Sequence, residues 1–360
     1  MADVAALAGV SGQTVSRVAN QHPRVDAATR ARVEAAMAQL GYRPHRAARA
    51  LRTGRSQSIG VVVATLATVG NTRMLEAVSA AASAHGYALV VVSPADRSGL
   101  DGAFTTLRDQ GVDGALVLNE ATALARSAET PRGLDLVVVD SPADERFAVV
   151  ESDHAGGAHA ATVHLLSLGH ATVWHLAGPE SSYAAAEREA GWRAALEEAG
   201  IVAPPVVRGD WSAASGHAAG RELAPRPDVS AIFAANDQMA LGLLRALHAE
   251  GRDVPGEVSV VGFDDVADAA DYTPPLTTVR QDFDTLGQRA VEALVARIEA
   301  GSRVEAGSAP VVVTALPSEA APEDEPVDDE PPVLPPLLRD VVPTRLVVRE
   351  SSGPAASVAP

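Results

Sequence analysis

The sequence contains no cysteine and no lysine. Without cysteine there can be no disulfide, no thiolate-bound zinc and no thiol nucleophile. Without lysine, all 29 basic side chains are arginines. Aromatic residues make up only 3% of the 360 residues, against 47% apolar residues in which Ala and Val dominate. That balance suits helices packed closely on sheets better than an aromatic-rich sandwich. No run approaches the roughly 18 continuous apolar residues of a membrane span. The opening MADVAALAGV lacks the cationic region and long apolar run of a secretion signal, so a cytoplasmic protein is expected. Enzyme motifs are missing as well: there is no GxxxxGKS/T phosphate loop, no GxGxxG fingerprint and no GxSxG elbow. His154, His159, His164, His170 and His175 recur about every five residues, whereas two ligands on one helix face need a spacing of three or four. Neither a catalytic group, a cofactor nor a metal is expected, and the protein does not read as an enzyme.

What is present is divided by charge. The chain carries a formal net charge of −17, yet residues 1–58 hold nine arginines against Asp3, Asp26 and Glu34, a local net of +6 that leaves −23 for the remainder. A basic module on an acidic body is the signature of a nucleic-acid-binding head. Salt screens the acidic body beyond roughly 8–10 Å, so the module can hold DNA locally.

Within 1–44 the pattern predicts three short helices. The first covers about Ala2 to Ala8, and Gly9-Val10-Ser11 makes a turn in which Ser11 caps the second. The second runs from Gly12 to about Asn20 and buries Val15 and Val18, leaving Gln13, Thr14, Ser16 and Arg17 on its open face. Asp26 caps a third, with Val33, Ala36, Met37 and Leu40 along one stripe. Two helices about a glycine turn form the DNA-reading helix-turn-helix. Gln13 suits an adenine edge and Arg17 a guanine, while Thr14 and Ser16 suit phosphates. Asn20 at the helix end and Arg46 in the basic segment that follows complete the polar candidates for DNA contact.

From Ser58 onward, short continuous apolar runs (SIGVVVATL, ALVVVSP, GALVLN, LDLVVVD, ATVWHLAG, PVVRGD, AIFAAN, VSVVGFDD) alternate with helical stretches beginning near Thr72, Gly99, Ala155, Tyr183, Ser212, Asp237 and Phe283. This predicts an α/β body of two doubly wound lobes with parallel sheets, facing each other across a cleft, behind the small all-α head. The expected lobes are about 58–169 with 281–314, and about 170–280 with 339–352. Ligands of such sheets bind at the carboxyl ends of the strands. Asn236, Asp264, Trp211 and the helical Arg188 stand there, and together they supply the amide, carboxylate, guanidinium and aromatic platform that a sugar needs.

DVAALAGVSGQTVSRVANQ, RARVEAAMAQLGYRPHRAARALRTG, GDWSAASG, ANDQMALG, SVVGFDD and PPLTTVRQDF together resemble the LacI/GalR family of bacterial transcription regulators, and most closely its galactoside-responsive members. The resemblance implies that Gln13 and Arg17 enter the major groove. It makes 45–57 a hinge helix and linker, with Leu51 wedged into the minor groove, and gives the body a periplasmic-binding-protein-like fold. It also implies that Arg188, Trp211, Asn236 and Asp264 grip a sugar effector, with Phe283 as an apolar wall and Gln281 nearby. Asp153 matches the family's strand-end Asp, which either contacts ligand or caps the following helix. Gly12 and Gly156 stand where those members carry a base-reading and a ligand-binding side chain. The implied protein is a repressor of carbohydrate-catabolic genes that a sugar, with a galactoside as one candidate, releases from its operator on the nucleoid. A different sugar or a purine-like co-repressor is the alternative within the family, and a sugar-binding transport or receptor protein the alternative outside it.

Residues 315–338 are rich in Pro and acid, with seven acidic residues among the thirteen of 318–330. This composition predicts a disordered insertion before the closing strand VVPTRLVVRES. It reads either as a solvating spacer or as an acidic competitor of DNA for the basic head. After Ser352 only GPAASVAP follows, without the Leu-heptad helix by which the resemblance would imply a tetramer, so a homodimer is expected.

Overall fold

The computed structural model describes residues 1–19, 22, 24–42, 54–94, 99–122, 133–144, 146–307 and 339–356. The candidate contacts Asn20, Arg46 and Leu51, most of the expected hinge and the acidic stretch 315–338 lie outside the described residues. Contacts divide the chain into two compact units, Met1–Gln57 and Ser58–Pro360.

The first unit holds α1 (Ala2–Ala8), α2 (Gly12–Ala19) and α3 (Ala27–Gln39). Gly9 ends α1 in the left-handed conformation at φ 64°, which costs a glycine nothing. The Ser11 hydroxyl then accepts from the Thr14 N–H at 3.2 Å to start α2. Asp26 does the same for α3, accepting from the Thr29 N–H at 2.9 Å. Val4, Ala8, Val15, Val18, Val33 and Ala36 close a small core. Leu40, expected on the buried stripe, is instead 46% exposed, because α3 ends at Gln39 and its stripe runs out at Met37.

The second unit is built on two six-stranded sheets. The first contains β1 (Ser58–Val63), β2 (Ala88–Val92), β3 (Gly114–Leu118), β4 (Asp135–Val139), β5 (Ala148–Ser152) and β11 (Arg339–Val342), in the order β11-β5-β4-β3-β1-β2 and parallel throughout. The second contains β6 (Trp174–Ala177), β7 (Val207–Arg208), β8 (Ala231–Ala234), β9 (Ser259–Asp264), β10 (Thr277–Arg280) and β12 (Arg345–Val347), in the order β12-β10-β9-β8-β6-β7. Only β12 runs antiparallel, against β10. The inner strands are buried on both faces, which is why they read as unbroken Val and Ile runs rather than as alternating ones. Helices α4 (Val69–Ala84) and α10 (Phe283–Gly307) cover one face of the first sheet through Met74, Val78, Leu286, Val291 and Leu294, and α5 (Gly99–Asp109) covers the other through Phe104 and Leu107. In the second lobe, α6 (His154–Ser167) and α7 (Tyr183–Glu198) cover one face, and α8 (Ala213–Leu223) and α9 (Asp237–Ala249) the other.

The chain crosses between lobes near residues 153, 281 and 343, which corrects the expected lobe boundaries twice. Helix α6 is placed by the sequence in a first lobe ending at about residue 169. Its Ala158, Ala161 and Leu165 instead share a core with Trp192, Phe233, Phe263 and Val279 of the second. The closing segment, expected whole in the second lobe, splits. Val342 pairs beside Ser152 in the first sheet, Pro343-Thr344 interrupts the ladder, and Leu346 pairs with Val279 in the second.

Candidate functional site

The carboxyl ends of both sheets open onto one cleft between the lobes, with about 480 Å³ of space between the walls counted out into its open mouth. Asn119, Glu120 and Asp140 reach it from the ends of β3 and β4, and Asn71 from α4. From the second lobe come Arg188 of α7, Trp211 after β7, Asn236 after β8 and Asp264 at the end of β9, with Gln281 and Phe283 on the crossover into α10. Thus Arg188, Trp211, Asn236, Asp264, Gln281 and Phe283 are all brought together. Asp153 is not. It is absent from the cleft lining, and its carboxylate accepts from the Gly156 N–H at 2.8 Å as the N-cap of α6. Of the two roles open to it from sequence, the structure displays capping.

Several of these positions hold costly backbone conformations. Asn119, Asp140, Trp211, Asp264 and Asp265 all have positive φ. Asn and Asp tolerate the left-handed region, but Trp211 at 73° and Asp264 at 112° are outliers of the kind that collects at ligand sites, at a cost of about 1–3 kcal/mol each.

The centre of the cleft is a buried ionic chain. The Arg188 Nη2 lies 3.5 Å from Asp264 Oδ1, its Nη1 donates to the Ala235 carbonyl, and its guanidinium sits 3.8 Å over the Phe263 ring. Burial pulls the guanidinium below its ordinary pKa, opposed by Asp264 and Asp140. Burial likewise raises the Asp264 carboxyl, opposed by Arg188 and by Gln281 Nε2, which donates to it at 2.6 Å. Asp140 ends on the other side of its ordinary value: burial works against its charge, but His154 and the Ser152 N–H outweigh it and lower the pKa. Asn236 caps α9 by accepting from the Met239 N–H at 2.8 Å, and donates to the Trp211 carbonyl at 3.0 Å, so one side chain holds both the helix start and the Trp211 backbone. Two buried groups of the cleft lining have no protein partner, a donor at Trp211 Nε1 and an acceptor at Gln281 Oε1.

In the small unit, α2 presents Gln13 and Arg17 exposed and one turn apart. Thr14 and Ser16 are half-buried rather than open, and the Thr14 hydroxyl bonds that of Ser11 at 3.0 Å.

Residues 1–45 match the model of the bacterial regulatory proteins of the lacI family, and 162–315 that of the periplasmic binding protein-like domain. The lactose operon repressor of Klebsiella pneumoniae is 37% identical over 361 positions, which cover 99% of this chain and 92% of the relative. The chain belongs to the LacI family. Among solved LacI-family structures, the Lac repressor dimer bound to operator and an anti-inducer superposes with a TM-score of 0.75 at 33% identity, covering 98% of both chains. The complex of the transcriptional regulator CelR with cellobiose gives 0.69 at 33% identity, covering 97% of this chain and 98% of that one.

Sequence reasoning recovered the second-lobe side of this LacI-family cleft and missed most of the first. Asn119, Glu120 and Asp140 went unassigned, although the strand-end rule that singled out Asn236 and Asp264 applies equally to GALVLNE and LDLVVVD. The histidine series dissolves into separate partners. His159 meets Glu198, His164 meets Ser352, His170 meets Ser230 and Ser259, and His175 meets the Phe233 carbonyl. His154 alone reaches the ionic chain of the cleft.

Proposed function

We propose that this LacI-family protein is a sequence-specific DNA-binding repressor of carbohydrate-catabolic genes, acting as a homodimer and released from its operator by a neutral sugar. The observation that carries the sugar reading is the pair of unpartnered groups in the cleft. A buried N–H on Trp211 and a buried carbonyl on Gln281 each forfeit about 1–3 kcal/mol unless a ligand or ordered water satisfies them. A sugar hydroxyl is both donor and acceptor and answers both. The Trp211 ring supports the apolar face of the pyranose, while Arg188 and Asp264 take further hydroxyls. Glu120, Asp140 and Asp264 outnumber the single arginine of the cleft, which favours an uncharged ligand over a phosphorylated or other anionic one.

Gln13 and Arg17 read base edges, Thr14 and Ser16 orient the helix on phosphates, and Asn20, Arg46 and Leu51 extend the contact by family resemblance. Sugar binding acts on the lobes, which already touch beside the cleft where Gln238 Oε1 accepts from the Val69 N–H at 3.2 Å. Lactose, named by one relative, and cellobiose, named by another, are the first candidates. Calorimetric titration of the full chain with lactose, galactose, cellobiose, ribose and hypoxanthine tests the assignment. Saturable binding of a sugar, weakened tenfold or more in Arg188→Ala, is expected. Binding of hypoxanthine alone would contradict it.

A further inference from the structure

His154 opens α6 directly after the first crossover and is 2% exposed. Its Nδ1 lies 3.3 Å from both Nε and Nη2 of Arg188. A guanidinium can only donate, so Nδ1 must be an acceptor and the ring proton must sit on Nε2. That atom lies 3.0 Å from Asp140 Oδ1, a close approach that is not a well-aligned hydrogen bond. Asp140 is itself held by the first lobe, since its Oδ1 accepts from the Ser152 N–H at 2.9 Å. The groups facing the imidazole are therefore Asp140 from β4, Arg188 from α7 with Asp264 behind it, and the Phe263 ring at 6.0 Å.

The elements that supply these groups belong to different lobes. Asp140 moves with the first sheet, whereas His154, Arg188 and Asp264 move with the second. A rigid, two-ended ring thus stands between a carboxylate of one lobe and the guanidinium of the other. We propose that His154 is a positioning residue that makes the orientation of Arg188 depend on where the first lobe stands, by accepting from the guanidinium at Nδ1 while presenting its Nε2 proton to Asp140. Rotation of the lobes about their crossovers withdraws Asp140 and releases one end of the ring. The grip on a ligand then weakens without any ligand-contacting residue being exchanged. Its affinity consequence rests on the sugar reading of the cleft, whereas the tautomer it requires does not.

Both arms can be measured on the full chain. Long-range 1H–15N spectra of histidine-labelled protein at pH 7, with the His154 signal identified by its loss in His154→Gln, are expected to give the neutral Nε2–H tautomer. An Nδ1–H tautomer or an imidazolium would overturn the proposal. For affinity, lactose and cellobiose serve as probes. The glutamine amide can replace both ends of the ring, so His154→Gln should bind whichever sugar the unmodified protein binds within about threefold. His154→Leu should lose about tenfold or more, equivalent to about 1.4 kcal/mol or more, in samples whose circular dichroism confirms a folded chain. Equal binding by His154→Leu, or equal losses in both variants, would refute the positioning role. Should the unmodified protein bind neither of these sugars, nor galactose or ribose, the sugar reading fails, and the tautomer spectrum alone decides the role of His154.

Discussion

Gly178 offers a perturbation whose effect follows from geometry alone. It lies immediately after β6, under the Trp211 indole. A methyl group built there falls 2.5 Å from Trp211 Cζ2 and 2.7 Å from Cζ3. Carbon atoms in ordinary contact need about 3.5–4.0 Å, so Gly178→Ala requires the ring to move by roughly 1 Å. Gly178 is not among the positive-φ glycines, so the substitution introduces no backbone strain to confuse the reading. The ring has little room to retreat. Trp211 is 8% exposed, is packed with Ala235 and Met239, and is tied through its carbonyl to Asn236 Nδ2 at 3.0 Å. Overpacking of this kind costs about 1–3 kcal/mol. In a domain of this size that lowers Tm by roughly 2–4 °C per kcal/mol. If the indole is the platform proposed for the sugar, the displacement also disturbs that contact, and a sugar-affinity loss of about tenfold, equivalent to about 1.4 kcal/mol, is expected. Calorimetric sugar titration and a thermal melt, run on the same preparation, read both effects. An alanine variant with unchanged Tm and unchanged sugar affinity would refute the placement of the indole over Gly178 and, with it, its role as the platform.

Three further outcomes follow from other parts of the molecule. His175 is fully buried, stacked at 4.9 Å on Phe233, and its pKa is pushed down from 6.5 to about 4, chiefly by burial. The folded state therefore holds fewer protons than the unfolded state between pH 6.5 and 4, and stability falls as pH drops through that window, by about 3 kcal/mol at most. Burial raises Asp237 and Asp264 and acts in the opposite sense, so the difference between denaturant-unfolding profiles of the unmodified protein and His175→Gln isolates the histidine; parallel profiles would count against it. Asp153→Ala should cost about 1 kcal/mol of stability through the lost cap and leave sugar affinity unchanged, whereas a tenfold loss of affinity would return Asp153 to the ligand site. Gln13→Ala and Arg17→Ala should each weaken operator binding by about 1–3 kcal/mol while sparing non-specific duplex, and equal losses on both DNAs would demote them to phosphate contacts.

Much of the architecture was legible because two-sided burial writes itself as unbroken apolar runs. The end of such a run locates a polar residue at the cleft, as it did for Asn236 and Asp264. The same signal ends β3 at Asn119 and β4 at Asp140, but a lone polar residue after a strand equally begins a turn. Only packing decides between the two. Helix α6 illustrates a different limit. Its small apolar face announces a partner without saying which sheet supplies it, so Ala158, Ala161 and Leu165 could have faced either lobe. VVPTRLVVRES reads as one closing strand, because nothing local to Pro343 states that the residues on its two sides join different sheets. The ties of His154 join residues 14 and 34 positions away and are invisible to any local pattern.

The account stands on coupling between the cleft and the DNA-reading head, and a fluorescence-anisotropy titration at fixed salt measures it directly. An operator duplex selected from random sequence is titrated with the protein, with and without a saturating concentration of the sugar that calorimetry identifies. The account predicts that the sugar weakens operator binding at least tenfold, that operator weakens sugar binding by the same factor, as linkage requires, and that binding to non-specific duplex changes little. A sugar that occupies the cleft yet leaves operator affinity unchanged, or strengthens it, would contradict a sugar-released repressor.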